Sequence, residues 1–467
     1  MDEEETPMKL FRNAVLLLVV LGLLTGAYFL VKSKKTSDTA GSTENKALKM
    51  LDLGTDQLTG ITLENRDGKF VFVKRDKEWV LSFPEGLKID KSRIEALASE
   101  LSGLTASKLI EEDAKDLAQY GLDKPSTVSA TLSDGSLKTV ELGDRTPAGD
   151  GYYVKLKGSG KVYTVDSYTG DKLNSRKNDI RDRTVFTAKA EEITGFSMDK
   201  AGKTVFAAKK EDDNWVLTLP LDANADMSSL GIIFNSVLNV TVKDFVEDNP
   251  PDSGKYGLKN PSYSIEVETA KGKTRIDLGS EKEKGSLIYG RIGTSNEVVT
   301  FDEGSLNFLD KPLKEIMEVF AYIVNISDVD KITVEMDGKT DVFDIQTDKD
   351  DKDKDRFYFN GKDISALKND KGSQLFREYY EALIGVTMDD VEIGANPSGK
   401  ADITLTYFLK KAPGTMKVEF IPKDGSYYYV MKNGKYSNII VARKKFDETS
   451  GVRGVYKKLV EAMESKK

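Results

Sequence analysis

In the run GKFVFVKRDKEWVLSF, residues 68–83, apolar side chains at Phe70, Phe72, Trp79 and Leu81 alternate with polar neighbours. A period of two predicts a hairpin of half-buried strands. The period then changes. After Asp90, a residue type that caps helices by accepting from free amides, apolar positions fall at Ile94, Leu97, Leu101 and Leu104. That spacing lays one stripe along a helix. Alternation returns in TVSATLSDGSLKTVEL (127–142) and GYYVKLKGSGKVYTVD (151–166), with turn residues at Asp134-Gly135 and Gly158-Ser159-Gly160. Strands, helix, strands: the pattern predicts an α+β module with a mostly antiparallel sheet.

The pattern repeats at an offset of 136 residues. Trp79-Val80-Leu81 and Pro84 return as Trp215-Val216-Leu217 and Pro220, and Asp90 as Asp226. Leu142-Gly143 returns as Leu278-Gly279, Tyr153 as Tyr289, and YGLDKP (120–125) as YGLKNP (256–261). So many coincidences at one offset mark an internal duplication. The second helix stripe is Leu230, Ile233, Val237 and Val240. A third, divergent copy opens with Ile332-Thr333-Val334, has Phe359 at the Trp position, and carries a helix stripe of Phe376, Tyr379, Leu383 and Val386. Tyr429-Val430 echo Tyr153-Val154, but the YGL signature is gone and only Asn396-Pro397 remains near its place. Residues 51–186, 187–322 and 323–467 are thus expected to be three tandem α+β repeats.

The YGL element reads as a joint of the fold. In EEDAKDLAQYGLDKP a short helix is expected to stop at Gly121, where left-handed torsions suit glycine; Leu122 packs back and Pro125 prevents continuation. SGKYGLKNP repeats this with Gly257, Leu258 and Pro261.

Residues 14–31, AVLLLVVLGLLTGAYFLV, hold 18 positions without a charge. As a helix they reach roughly 27 Å, close to the thickness of a hydrocarbon core. A cleaved signal peptide has a shorter apolar run and a small-x-small site; this run ends in Tyr28-Phe29-Leu30-Val31 and Lys32. The expectation is a transmembrane anchor, with residues 1–13 a cytoplasmic tail and 32–50 a polar tether. Lys9 and Arg12 before the span nearly balance Lys32, Lys34 and Lys35 after it. Position decides the orientation: an N-terminal anchor before one large block exports that block, leaving the N-terminus inside.

Composition narrows the chemistry. Asp and Glu number 77 against 69 Lys and Arg, a net charge of −8, and the longest basic cluster is Arg443-Lys444-Lys445. Nucleic acid is therefore not the expected partner. The chain has no Cys and no His. Disulfides, thiolate nucleophiles, Ser-His and Cys-His arrangements and the usual zinc, copper and haem ligands are excluded.

The remaining motifs have plain structural readings. Trp79 and Trp215 suit sugar stacking, but their repeated position suits an aromatic that fastens hairpin to helix. DKDDKDKD (348–355) offers a D-x-D-x-D run, yet Arg356 stands where a calcium loop needs Gly and Lys362 where it needs a bidentate acid. By alignment it is an expanded, solvated hairpin loop, equivalent to RDKE at 75–78 and EDDN at 211–214. Gly-Lys-Thr at 202–204, 272–274 and 338–340 lacks the earlier glycine of a phosphate loop, with Ser197, Val267 and Thr333 in its place. No catalytic, cofactor-binding or metal-ligating residue is assigned.

The Trp-x-Leu…Pro element, the capped helix, the YGLxxP joint and the Leu-Gly…Tyr-Val…Val-Tyr-x-Val series together resemble the bacterial family catalogued as domain of unknown function 4340. The residues concerned are Trp79, Leu81, Pro84, Tyr120-Gly121-Leu122, Pro125, Leu142-Gly143, Tyr153 and Val162 to Val165, with their second-copy counterparts. The resemblance implies a membrane-anchored extracytoplasmic protein, often associated with ABC transporters of the gliding-motility type and their auxiliary subunits. It carries no catalytic residues. The expected function is a non-catalytic accessory or scaffold subunit of such an envelope complex. A freestanding ligand-binding or adhesive surface protein, binding an envelope polymer or other ligand, is the alternative. A carboxylate-based envelope hydrolase stands third.

Overall fold

A computed structural model describes residues 48–411 and 414–465. The expected anchor at 14–31 and most of the tether lie outside the described residues. Among the described residues no helix is long and apolar enough to cross a membrane. Leu48–Lys49, placed in the tether by its polar composition, pairs with Thr105–Ala106 and so belongs to the folded part.

The first large sheet has eight strands. Across it they run Glu78–Phe83, Gly68–Arg75, Leu58–Asn65, Ser126–Leu132, Leu137–Arg145, Gly151–Leu156, Val162–Asp166 and Lys108–Glu111. All neighbours are antiparallel. Three strands thus form a meander and the chain crosses by way of a helix. One short strand goes to the far edge, and four more strands then fill the gap between. The second and third sheets keep this order, each with one more two-residue strand, Ala223–Asn224 and Lys362–Asp363, beside the Trp-position strand. Three sheets with one connectivity show that the divergent third copy shares the architecture of the other two.

The three expected helices form, and Ser167–Leu173, Lys444–Asp447 and Val452–Glu464 are helices the sequence pattern did not predict. Lys91–Ser102 begins at Asp90, whose carboxylate accepts from the amides of Ser92 and Arg93. Met227–Leu238 begins at Asp226, which accepts from Ser229 N at 2.7 Å. Ile94, Leu97 and Leu101 of the first and Leu230, Ile233 and Val237 of the second are buried against their sheets. The last stripe residues, Leu104, Val240 and Val386, lie just beyond their helices and are also buried. In the third copy, Leu375–Ile384 starts at Gln374 without a side-chain cap. It packs beside a C-terminal helix, Val452–Glu464, with Tyr379 and Tyr456 ring centroids 5.6 Å apart.

The described chain forms two compact units, one ending at Asp182 and one beginning at Arg183. The first has its own apolar core, in which Phe72, Trp79, Ile94 and Val140 are buried. The second holds two sheets, and a single core runs from Val185 to Leu459. The boundary expected between residues 322 and 323 therefore falls inside one packed unit.

Three local expectations change. The Trp position in the third copy belongs to Phe357, not Phe359. Trp79 pairs with Lys74 and Trp215 with Lys210, one step before the hairpin turn, and Phe357 holds that register opposite Ile345. The hairpin loop grew, so a fixed offset miscounts. Next, the helix expected before Gly121 is a single 3-10 turn, Ala118–Tyr120, because Lys108–Glu111 is strand. Asp116 also takes the Ala118 amide at 3.0 Å, favouring a turn over a helix. Finally, the Asp348–Asp355 loop is not wholly solvated. Asp355 is fully buried, accepts from Asp348 N at 2.7 Å and pairs with Arg377 of the neighbouring helix.

Candidate functional site

The repeated residues turn out to hold each module together. Gly121 and Gly257 adopt left-handed torsions, with φ of 64° and 75°. The following leucines, Leu122 and Leu258, are buried. Tyr120 donates to Glu111 at 2.8 Å and Tyr256 to Glu247 at 2.5 Å, in each case across to the far-edge strand. The bond to Glu247 raises the Tyr256 hydroxyl above its ordinary range and lowers the carboxylate. Each tyrosine ring also packs on the repeated strand tyrosine, Tyr153 or Tyr289, at 4.9 and 4.8 Å. In the third copy Tyr429, at the place of Tyr153, itself donates to an acid, Glu392 at 3.1 Å, and meets Tyr436 edge-on at 5.4 Å. Sequence reading missed Glu111 and Glu247, although they also lie 136 residues apart.

Both tryptophans fasten hairpin to helix. Trp79 donates to Glu95 of the Lys91–Ser102 helix at 2.7 Å. Trp215 packs on Phe234 of the Met227–Leu238 helix at 4.8 Å, and Phe357 on Phe376 at 4.6 Å. In the Asp348–Asp355 loop the acids accept backbone amides: Asp348 takes those of Asp350 and Asp351, and Asp351 that of Asp353. Among the described residues no group of three acids is arranged to hold a metal ion.

The segment between the second and third sheets repeats a lacing also present 136 residues earlier, where Arg181 bridges Ile89 and Asp182 N donates to Lys88 O at 3.1 Å. The connecting segment is laced to both sides. Met317 bridges Ala225, and Phe320 bridges Thr387. Glu318 N donates to Asn224 O at 3.1 Å, and Ala321 N to Val386 O at 2.8 Å. Beside this segment opens a cleft of about 800 Å³. Met317, Met388, Leu217, Tyr322 and Ile439 line it as buried residues; Phe320 and Ile323 line it exposed, at 41% and 55%.

The charged lining is unevenly placed. Lys209, Glu211, Asp222, Glu318 and Lys435 are exposed, whereas Lys432 is half-buried. Lys209 pairs with Glu211 at 2.7 Å, and Glu318 accepts from Asn224 at 3.3 Å. Lys432 and Lys435 flank the turn at Asn433-Gly434, whose φ values of 48° and 76° suit that dipeptide. The hairpin register sets the two lysines directly opposite each other. Neither ammonium has a hydrogen-bond or ion-pair partner among the described residues. Burial lowers the Lys432 ammonium below the ordinary lysine value, while the charge of Glu318 works the other way.

A tandem array of antiparallel sheet modules, each with a capped or packed helix and with a cleft where two modules share a core, is the class of molecule these features define. Two stretches, residues 79–216 and 215–406, match the family described as Domain of unknown function (DUF4340). The chain belongs to that family. The matches are in tandem, and the second runs into the third sheet, as far as the Ile403–Leu409 strand. No curated protein and no solved structure matches the chain.

Proposed function

We propose that this protein is a non-catalytic, membrane-tethered array that works outside the cytoplasmic membrane as an accessory subunit of an ABC-transporter-linked envelope complex. One observation carries the non-catalytic part. In the first two modules the Trp, the capping Asp, the Tyr of the joint and its Glu are each engaged inside their own module. Repetition has kept a framework, and function is left to surfaces that differ between copies. The carboxylates support the same reading. A general acid at neutral pH needs a raised pKa. Among the described residues, carboxyls such as Asp171, Asp277 and Asp310 are instead held below their ordinary value by hydrogen bonds and cations.

The anchor and the transporter partner rest on the apolar run at 14–31 and on family membership. Protease treatment of spheroplasts tests the topology. Digestion of the modules from outside, with a small protected N-terminal fragment, is the expected result. Full protection of the modules would refute export. The cleft beside Lys432 favours one further reading, in which the array itself binds a ligand.

A further inference from the structure

We infer that the cleft between the second and third sheets is a binding site for a small amphipathic monoanion, an apolar body bearing one carboxylate or phosphate, with the anionic group held by Lys432 and Lys435. Three observations converge. The cavity, about 800 Å³, falls in the range of small-molecule sites. Its lining mixes polar and apolar groups, and buried Met317 and Met388 with half-buried Met416 offer an adaptable surface to an alkyl or aromatic body. Beside these methionines stands the half-buried Lys432, whose ammonium has no hydrogen-bond or ion-pair partner among the described residues.

The lysine pair strengthens the case. Like charges opposed across two strands destabilise a hairpin. Here Lys432 and Lys435 are opposed, and neither makes an ion pair among the described residues, although the charge of Glu318 reaches Lys432. Local rules broken without local compensation are expected at functional positions. A bound anion removes the conflict by bringing the missing charge.

The exposed acids set the charge class. Glu211 is held by Lys209, but Glu318 and Asp222 remain on the exposed lining. They repel extended polyanions and leave room for one negative group at the lysines. Phe320 and Ile323, both exposed, would cover the apolar body as it enters. The site rests on Lys432 and its surroundings, and recovery or loss of a membrane partner does not bear on it.

The test uses the full chain in lipid nanodiscs, with empty nanodiscs as the partition blank. Reductive methylation of lysines is read residue by residue by mass spectrometry, with exposed Lys138 as internal control. Octanoate and octyl phosphate are the probes; acetate and octyltrimethylammonium are the comparisons. Saturating octanoate, octyl phosphate or both should reduce labelling of Lys432 roughly fivefold and leave Lys138 unchanged. Protection by only one of them identifies the headgroup. Lys432→Met should weaken binding about tenfold and Lys432→Arg should restore most of it. No protection by either probe, or equal protection by acetate or by the cation, overturns the proposal. The protection readout is taken on the unsubstituted chain, so a variant that misfolds does not rescue it.

Discussion

A methyl group on Gly143 would lie 2.1 Å from the carbonyl oxygen of Tyr120, and one on Gly279 2.0 Å from that of Tyr256. Both glycines sit where the strand register shifts, so the joint can press its backbone against the bulge. Gly279→Ala should therefore destabilise the second unit by about 3 kcal/mol in urea unfolding. Gly231→Ala, a helical position where the added Cβ meets nothing within 4 Å, should be neutral or stabilising by about 0.5–1 kcal/mol. Equal effects would contradict the close-approach account. Asp277 supplies a pH dependence. Burial would raise this carboxyl, but bonds from Arg291, Ser264 and Arg275 overcome it and hold it below the ordinary value. A lowered folded pKa contributes stability above the unfolded aspartate value, about 4, which is lost as pH falls further. Asp277→Asn should flatten the fall in stability between about pH 5 and pH 2. An unchanged slope would place the acid sensitivity elsewhere.

Hairpins and capped helices were legible because their signals are local: period two in 68–83, Asp90 and Asp226 ahead of apolar stripes. The failures have physical causes as well. Phe357 was missed because its hairpin loop expanded from two residues, 212–213, to nine, 347–355, and an offset cannot follow an insertion. Asp355 reads as one more solvated acid until Arg377, brought by a helix, meets it in the core. The cleft was wholly illegible, since its lining comes from 209–224, 317–323, Met388 and 416–439, segments brought together only by the tertiary fold. The fastening role of the tryptophans can be measured. Trp79 has a hydrogen bond to Glu95, whereas the indole nitrogen of Trp215 has none among the described residues. Trp79→Phe should thus cost about 1 kcal/mol more than Trp215→Phe. Asp226→Ala should cost about 1 kcal/mol through loss of the Ser229 amide's acceptor. A silent Asp226→Ala would remove the cap from the account.

Two compact units with separate cores predict two unfolding transitions for the whole chain. The tryptophans report them separately, because Trp79 lies in one core and Trp215 in the other. Single-tryptophan variants followed in urea should give different midpoints, and coincident curves would contradict the division. The central claim concerns the molecule in its membrane: a tethered array serving a transporter complex. Its most direct test is a crosslinked pull-down from native membranes, comparing the full chain with a version beginning at Lys32. The account predicts that the full chain recovers an ABC permease and its ATPase, and that removing residues 1–31 weakens or abolishes the recovery. Absence of both transporter subunits from the full-length sample would contradict it.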